Sequence, residues 1–222
     1  MSKQRWLAVF ITCIALFWSS HGFSNELMKA IEDGENFKIH QLAKMGVDLN
    51  RAHSSYGGFR NMTPVVWAIK NDNVMGLSYL LRYGADPNST GGYTNLPAIA
   101  QVAQTSKLNT KTMLLMIDVL MKYGANVRAT STDGGTVLHS AAYSNRPEVV
   151  AKYIEYGADI NAKDNDGKSA YELAKMFKHK KALSALSRKN SPNGSHKGSY
   201  QTIDDYNNSA IQLRPYSGAI GK

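Results

Sequence analysis

The five-residue phrase GADPN at Gly84–Asn88 recurs in varied form as GVDLN at Gly46–Asn50, GANVR at Gly124–Arg128 and GADIN at Gly157–Asn161. Successive glycines stand 38, 40 and 33 residues apart (46 to 84, 84 to 124, 124 to 157). The last step is the period of a helix-pair solenoid, and the two longer ones read as the same unit carrying insertions. Recurrence at a fixed period means a stack of like units, each too small to bury an apolar face alone.

The pattern extends upstream of each phrase. Asn25, Thr63 and Thr136 each lie 21 residues before one of the glycines, and each opens a helix-forming run: ELMKAI, PVVWAI and VLHSAA. Thr63-Pro64 reads as an N-cap followed by proline at the first helical position, where the missing N–H costs nothing. A second run in each unit, such as VMGLSYLLRYG at 74–84 or EVVAKYIEYG at 148–157, is apolar at helical spacing and stops at glycine. Glycine takes the left-handed conformation that ends a helix without a Cβ clash. Each unit is therefore helix, tight turn, helix and extended loop.

With TPVVWAI at Thr63–Ile69, TVLHSAA at Thr136–Ala142 and the four Gly-x-Asp/Asn-x-Asn/Arg phrases in place, the sequence resembles the ankyrin-repeat family. DNDGKSAYELA at Asp164–Ala174 matches less closely, with Ser169 and Ala170 where the family usually has Thr-Pro. The resemblance covers residues 25–190 and implies a mainly α fold: a solenoid of about five helix-turn-helix units with hairpin fingers along one edge. The units begin near Asn25, Thr63, Asn95, Thr136 and Ser169. The third lacks the threonine and carries an insertion, QTSKLNTK, at Gln104–Lys111. The last should present a polar outer face as a cap, and KMFKHKKALSALSRK at Lys175–Lys189 is lysine-rich around a thin stripe of Leu173, Phe177, Leu183 and Leu186.

Both ends differ from this pattern. Lys3 and Arg5 precede WLAVFITCIALFW, thirteen residues without a charge, and SSHGFS follows, with small Gly22 and Ser24 at the −3 and −1 positions of a cut after Ser24. Residues 1–24 therefore read as a secretory signal peptide, too short to span a bilayer as a helix. Cleavage near Ser24 predicts a periplasmic or secreted protein. Cys13, the only cysteine, leaves with the leader, so the mature chain has neither disulfides nor thiolate chemistry. Residues 191–222, rich in Ser, Asn and Gly, read as a disordered tail.

The net charge is +9 and becomes +7 without Lys3 and Arg5. Nine Lys or Arg against three acids fall between Lys163 and Lys197. That basic cap reads as a solubilising end, with contact to an anionic membrane surface as its alternative. Nucleic acid is not an expected partner, because export separates the protein from it.

Catalytic patterns are missing: no His-Glu-x-x-His, no Gly-x-Ser-x-Gly and no phosphate loop. The chain reads as no enzyme, with no cofactor and no metal. DNDG at Asp164–Gly167 looks like a calcium loop, but with Gly167 at position six the end ligands would be Ala162 and Leu173, so it reads as a hairpin turn. His139 sits where the family uses histidine to bond neighbouring loops, a scaffolding role. Trp67 should be core, its truncation costing ~3–5 kcal/mol.

The family's partner surface is the concave face with the finger tips. Carried over position by position, it comprises Arg51, Tyr56, Phe59 and Arg60 in the first finger, Tyr93 in the second, Thr132 and Asp133 in the third, and Lys163 and Asn165 in the fourth. On the helices it comprises Lys70, Asn71, Tyr143, Ser144 and Met176. The first finger, RAHSSYGGFRNM at Arg51–Met62, is about five residues longer than its unit requires, a tolerable insertion, and its two aromatics with two arginines have the make-up of an interface anchor. These features predict an exported module, monomeric when free, that captures another protein stoichiometrically. Its resemblance to small exported bacterial ankyrin-repeat proteins implies one of two roles, an immunity protein against an antibacterial toxin or an accessory protein of a periplasmic enzyme. The alternative is a secreted effector acting in another cell; Asn61-Met62-Thr63 and Asn88-Ser89-Thr90 also fit glycosylation acceptors of a eukaryotic secretory route.

Overall fold

The computed structural model describes residues 23–53, 58, 60–105 and 109–188. Among these residues the chain forms five successive helix pairs. The first of them is α1 (residues 23–32) with α2 (Asn36–Lys44). The next are α3 (Pro64–Lys70) with α4 (Val74–Arg82), and α5 (Ala98–Gln104) with α6 (Thr110–Lys122). Then come α7 (Val137–Tyr143) with α8 (Pro147–Glu155), and α9 (Ala170–Met176) with α10 (Lys180–Arg188). The helices sort into two layers. In one, α3 packs on α5, α5 on α7 and α7 on α9; in the other, α2 packs on α4, α4 on α6, α6 on α8 and α8 on α10.

The local sequence explains where each helix starts. Thr63 caps α3 by accepting from Val66 N at 3.3 Å. Ser169 and Glu172 form a reciprocal capping box on α9. The third unit is shifted from the sequence expectation: the cap of α5 is Pro97, two residues beyond Asn95. Asn95 itself has φ 47° and lies at the tip of a small hairpin in which β1 (Thr90–Gly91) pairs with β2 (Leu96–Pro97). Strand pairing, rather than a capping side chain, fixes where α5 begins.

Helix ends follow one scheme. The glycine of each phrase has positive φ, 81° at Gly46 and 93° at Gly84, and the residue after it donates back five positions, as Ala85 N does to Leu80 O at 3.0 Å. Between the helices of a pair the left-handed residue is Gly34, Asp72, Asn145 or Lys178. In the phrase itself, Asp48, Asp86, Asn126 and Asp159 each accept from the backbone N–H two residues on, at 2.8–2.9 Å. The closing asparagine reaches the next unit: Asn50 Oδ1 accepts from Asp86 N and Asn88 Oδ1 from Asn126 N, both at 2.7 Å. The recurring phrase is thus a turn that also bonds sideways.

One core runs the length of the stack, from Leu27, Met28 and Ile31 through Trp67, Ile99, Leu138 and Tyr153 to Ala182 and Leu186. Trp67 is buried, and its Nε1 donates to Met28 O at 3.1 Å, joining the first two units. Among the described residues, no helix is long and apolar enough to cross a membrane.

Candidate partner-binding surface

In the three middle units the first helices are buried on nearly every side. In α3, α5 and α7 the first six residues are all buried, and only the seventh, Lys70, Gln104 or Tyr143, reaches the surface. In α9 the seventh residue is Met176, also exposed. Equivalent positions in stacked units line up, so these four residues and the ones after them form a single row. Its far end is aromatic. Tyr143 is 53% exposed and meets Phe177, 43% exposed, edge to face with centroids 5.1 Å apart; His179 stacks on Phe177 at 5.8 Å. The sequence puts Phe177 in the apolar stripe of the cap, but α9 ends at Met176 and the left-handed turn at Lys178 leaves the ring on the surface.

The fingers lead into the N-terminal ends of the first helices, opposite the ends that carry this row, and are bonded to one another. Gly92 N donates to Arg60 O at 3.1 Å, Thr132 N to Thr94 O at 3.0 Å, and Asn165 N to Asp133 O at 3.0 Å. Two side chains expected to meet a partner are engaged in this lacing: Thr132 Oγ1 also donates to Thr94 O, and Asn165 Nδ2 donates to Thr132 O. The Asp133 carboxylate accepts from Ser131 Oγ, which holds its pKa below the usual carboxylate range. At the tips, Tyr93 is 80% exposed with the Arg60 guanidinium 5.7 Å from its ring centroid. Arg51 and Lys163 are exposed as well, and Asn71 and Ser144 are half-buried. Burial of Lys70 lowers its pKa. Tyr56 and Phe59 lie outside the described residues.

The histidines serve the frame. His139 Nδ1 pairs with the backbone N and Oγ1 of Thr136, and its Nε2 meets Lys168 O of the next finger at 2.8 Å, the loop-bonding role expected of it. His179 Nδ1 meets Ala142 O at 2.9 Å. His53 Nε2 lies 3.0 Å from Ser24 Oγ, and burial followed by the nearby Arg51 charge lowers its pKa. The Asp164 carboxylate accepts from the backbone N–H of Asp166 and of Lys168, so DNDG is a hairpin turn.

On the opposite layer, Lys152 Nζ is 2.8 Å from Asp118 Oδ1, and Tyr156 donates its hydroxyl to the same oxygen. Burial, then the bond to Asp118, raises the Tyr156 pKa. Tyr153, wholly buried, donates to Ile99 O and ties the fourth unit to the third. These cross-unit contacts rigidify the frame behind the surface row. An aromatic and cationic rim on a rigid frame can dock a protein surface.

A family model described as ankyrin repeats in many copies matches residues 120–174. Among curated proteins, the palmitoyltransferase AKR1 of Lachancea kluyveri is 30% identical, over 61% of this chain and 22% of its own length. Alpha-latrocrustotoxin-Lt1a of Latrodectus tredecimguttatus is 28% identical, over 88% of this chain and 13% of its own. A putative ankyrin repeat protein of fowlpox virus is 29% identical, over 58% of this chain and 35% of its own. The chain thus spans about a third or less of the length of these relatives.

Proposed function

We propose that the chain is an exported ankyrin-repeat module that binds protein and captures one partner stoichiometrically. The observation that carries this reading is the row of half-buried Lys70 and exposed Gln104, Tyr143, Met176 and Phe177, together with the laced fingers that hold out Arg60 and Tyr93. Aromatic and arginine side chains on a surface with little freedom left to lose are the make-up of binding hot spots. An interface of the ordinary size, roughly 800 Å² per partner, is within reach of such a surface. Export rests on the leader-like residues 1–24. Outside the cytosol, capture fits either an immunity protein that blocks a toxin or an accessory protein of a periplasmic enzyme. The activities in the relatives' names belong to proteins several times longer and are not carried over.

The test is a pull-down from periplasmic extract with the tagged mature chain, followed by calorimetry on the captured protein. Tyr93→Ala with Tyr143→Ala should weaken capture at least tenfold, about 1.4 kcal/mol, while thermal unfolding stays nearly unchanged. Equal affinity for variant and parent would remove this surface from the site.

A further inference from the structure

We propose that the leader is removed between Gly22 and Phe23, so that the mature protein keeps Phe23 and Ser24 as the first residues of its fold. The inference rests on the export reading and revises the cut after Ser24. Two registers place small side chains at both −1 and −3: Gly22 and Ser24 for a cut after Ser24, Ser20 and Gly22 for a cut after Gly22. The leader pattern alone does not choose between them.

The fold does. By the repeat spacing, Asn25 holds the place that Thr63 holds in the second unit, that of the helix cap. It is not one: α1 already includes residues 23 and 24, so Asn25 lies within the helix. Ser24 is 1% exposed and its hydroxyl lies 3.0 Å from His53 Nε2, a contact between residues 29 apart in sequence. Phe23 packs against the hydrophobic core. A cut after Ser24 would discard both, depriving His53 of the Ser24 hydroxyl and the terminal unit of an apolar cover. A terminal unit has a neighbour on one side only, so nothing in the stack replaces packing that is removed there. Leader removal acts on a chain that has not yet folded, so burial cannot block either cut; it decides which product folds complete. In the proposed step, a peptidase selective for small side chains adds water across the Gly22–Phe23 amide, the hydroxyl going to the Gly22 carbonyl carbon and the proton to the Phe23 nitrogen.

The experiment is to express the full chain in a Gram-negative host, recover it from osmotic-shock fluid, and determine its N-terminus by intact mass and terminal sequencing. Phe23 as the first residue is expected. Asn25 as the first residue overturns the inference while leaving export standing, and an unprocessed chain held in the cells overturns both. A variant, Ser20→Leu, changes the −3 side chain of the proposed register and neither small position of the other. It should abolish the Phe23 terminus; processing unchanged by Ser20→Leu would also refute the proposal.

Discussion

The interaction most worth breaking lies on the layer of second helices, where Lys152 of α8 meets Asp118 of α6. Lys152 is 8% and Asp118 17% exposed at the side chain, and the ammonium lies 2.8 Å from Asp118 Oδ1. Removing one partner of a buried ion pair costs about 3–5 kcal/mol, because the survivor keeps its desolvation penalty. Here relief is partial: after Asp118→Ala, Glu155 Oε2 remains 4.0 Å from the ammonium. We therefore expect the lower end, ~3 kcal/mol. Lys152→Met keeps the stem's volume and leaves Asp118 bonded to the Tyr156 hydroxyl, so about 2 kcal/mol is expected. The double variant carries neither charge and should cost about 3 kcal/mol rather than the ~5 of the sum, a coupling of about 2 kcal/mol. The assay is urea unfolding of the four chains by circular dichroism, with Trp67 fluorescence in parallel. Trp67 sits in the second unit and the ion pair joins the third and fourth, so separated transitions would show the array melting in parts, and the cycle would then be read on the dichroism alone. Additive costs, within ~0.5 kcal/mol, would refute the claim that these charges depend on each other.

Three further outcomes follow from individual side chains and turns. His53 has its pKa held below the ordinary 6.5 by burial, so the unfolded chain takes up the proton first. Stability should then fall as pH drops from about 7 to about 5, and His53→Gln should flatten that slope in chemical denaturation. Gly134 has φ 76° and an added Cβ would stand 2.5 Å from Asn165 Oδ1, whereas Gly167, at φ 73°, faces open space. In urea unfolding, Gly167→Ala should cost about 1 kcal/mol in backbone strain and Gly134→Ala at least about 1 kcal/mol more, the excess measuring the lacing of third and fourth fingers. Ser169→Ala should cost about 1 kcal/mol in the same assay by removing the cap of α9. Its bonds to Ser169 hold the Glu172 carboxyl below the ordinary 4.5, so their contribution is present above that pH and is lost as pH falls through the folded value.

What can be read from the sequence is what depends on neighbours along the chain. Glycine stops, the caps at Thr63 and Ser169, the turn at Asp164–Gly167 and the core place of Trp67 each follow from a few consecutive residues and a backbone preference. Features that escape such reading depend on what lies across the stack. Pro97 begins α5 because Thr90 pairs with Pro97 in a hairpin, and no local cap marks it; with that register two residues off, sequence reasoning leaves Gln104 out of the surface row. Phe177 stands four residues after Leu173, ordinary stripe spacing, yet the helix has ended before it. The side chains of Thr132 and Asn165 look free at a finger tip until the neighbouring finger is set beside them. The Lys152–Asp118 and Tyr153–Ile99 contacts join residues 34 and 54 apart and are beyond any local rule.

The contacts that hold the stack and the side chains offered to a partner point in different directions, and that separation bears on how such a surface can change. Lacing bonds run along the stack, largely from backbone to backbone, as from Asn165 N to Asp133 O, and so depend on the side chain at a tip only where Thr132 and Asn165 add their own. The buried six positions of α3, α5 and α7 fix each helix, while the seventh reaches the surface, where Gln104 also donates to Ser140 Oγ of the next unit at 3.3 Å. Substitution at Met176 should therefore change which protein is bound without changing whether the frame folds, within the ±0.5 kcal/mol usual for surface positions, whereas Gln104 and Tyr143 also touch the next unit, at Ser140 and Phe177. At the aromatic end of the row this independence weakens further, because Phe177 also stacks on His179, whose Nδ1 holds Ala142 O. A change at Phe177 should be felt both by the partner and by the fit of the last unit on the fourth.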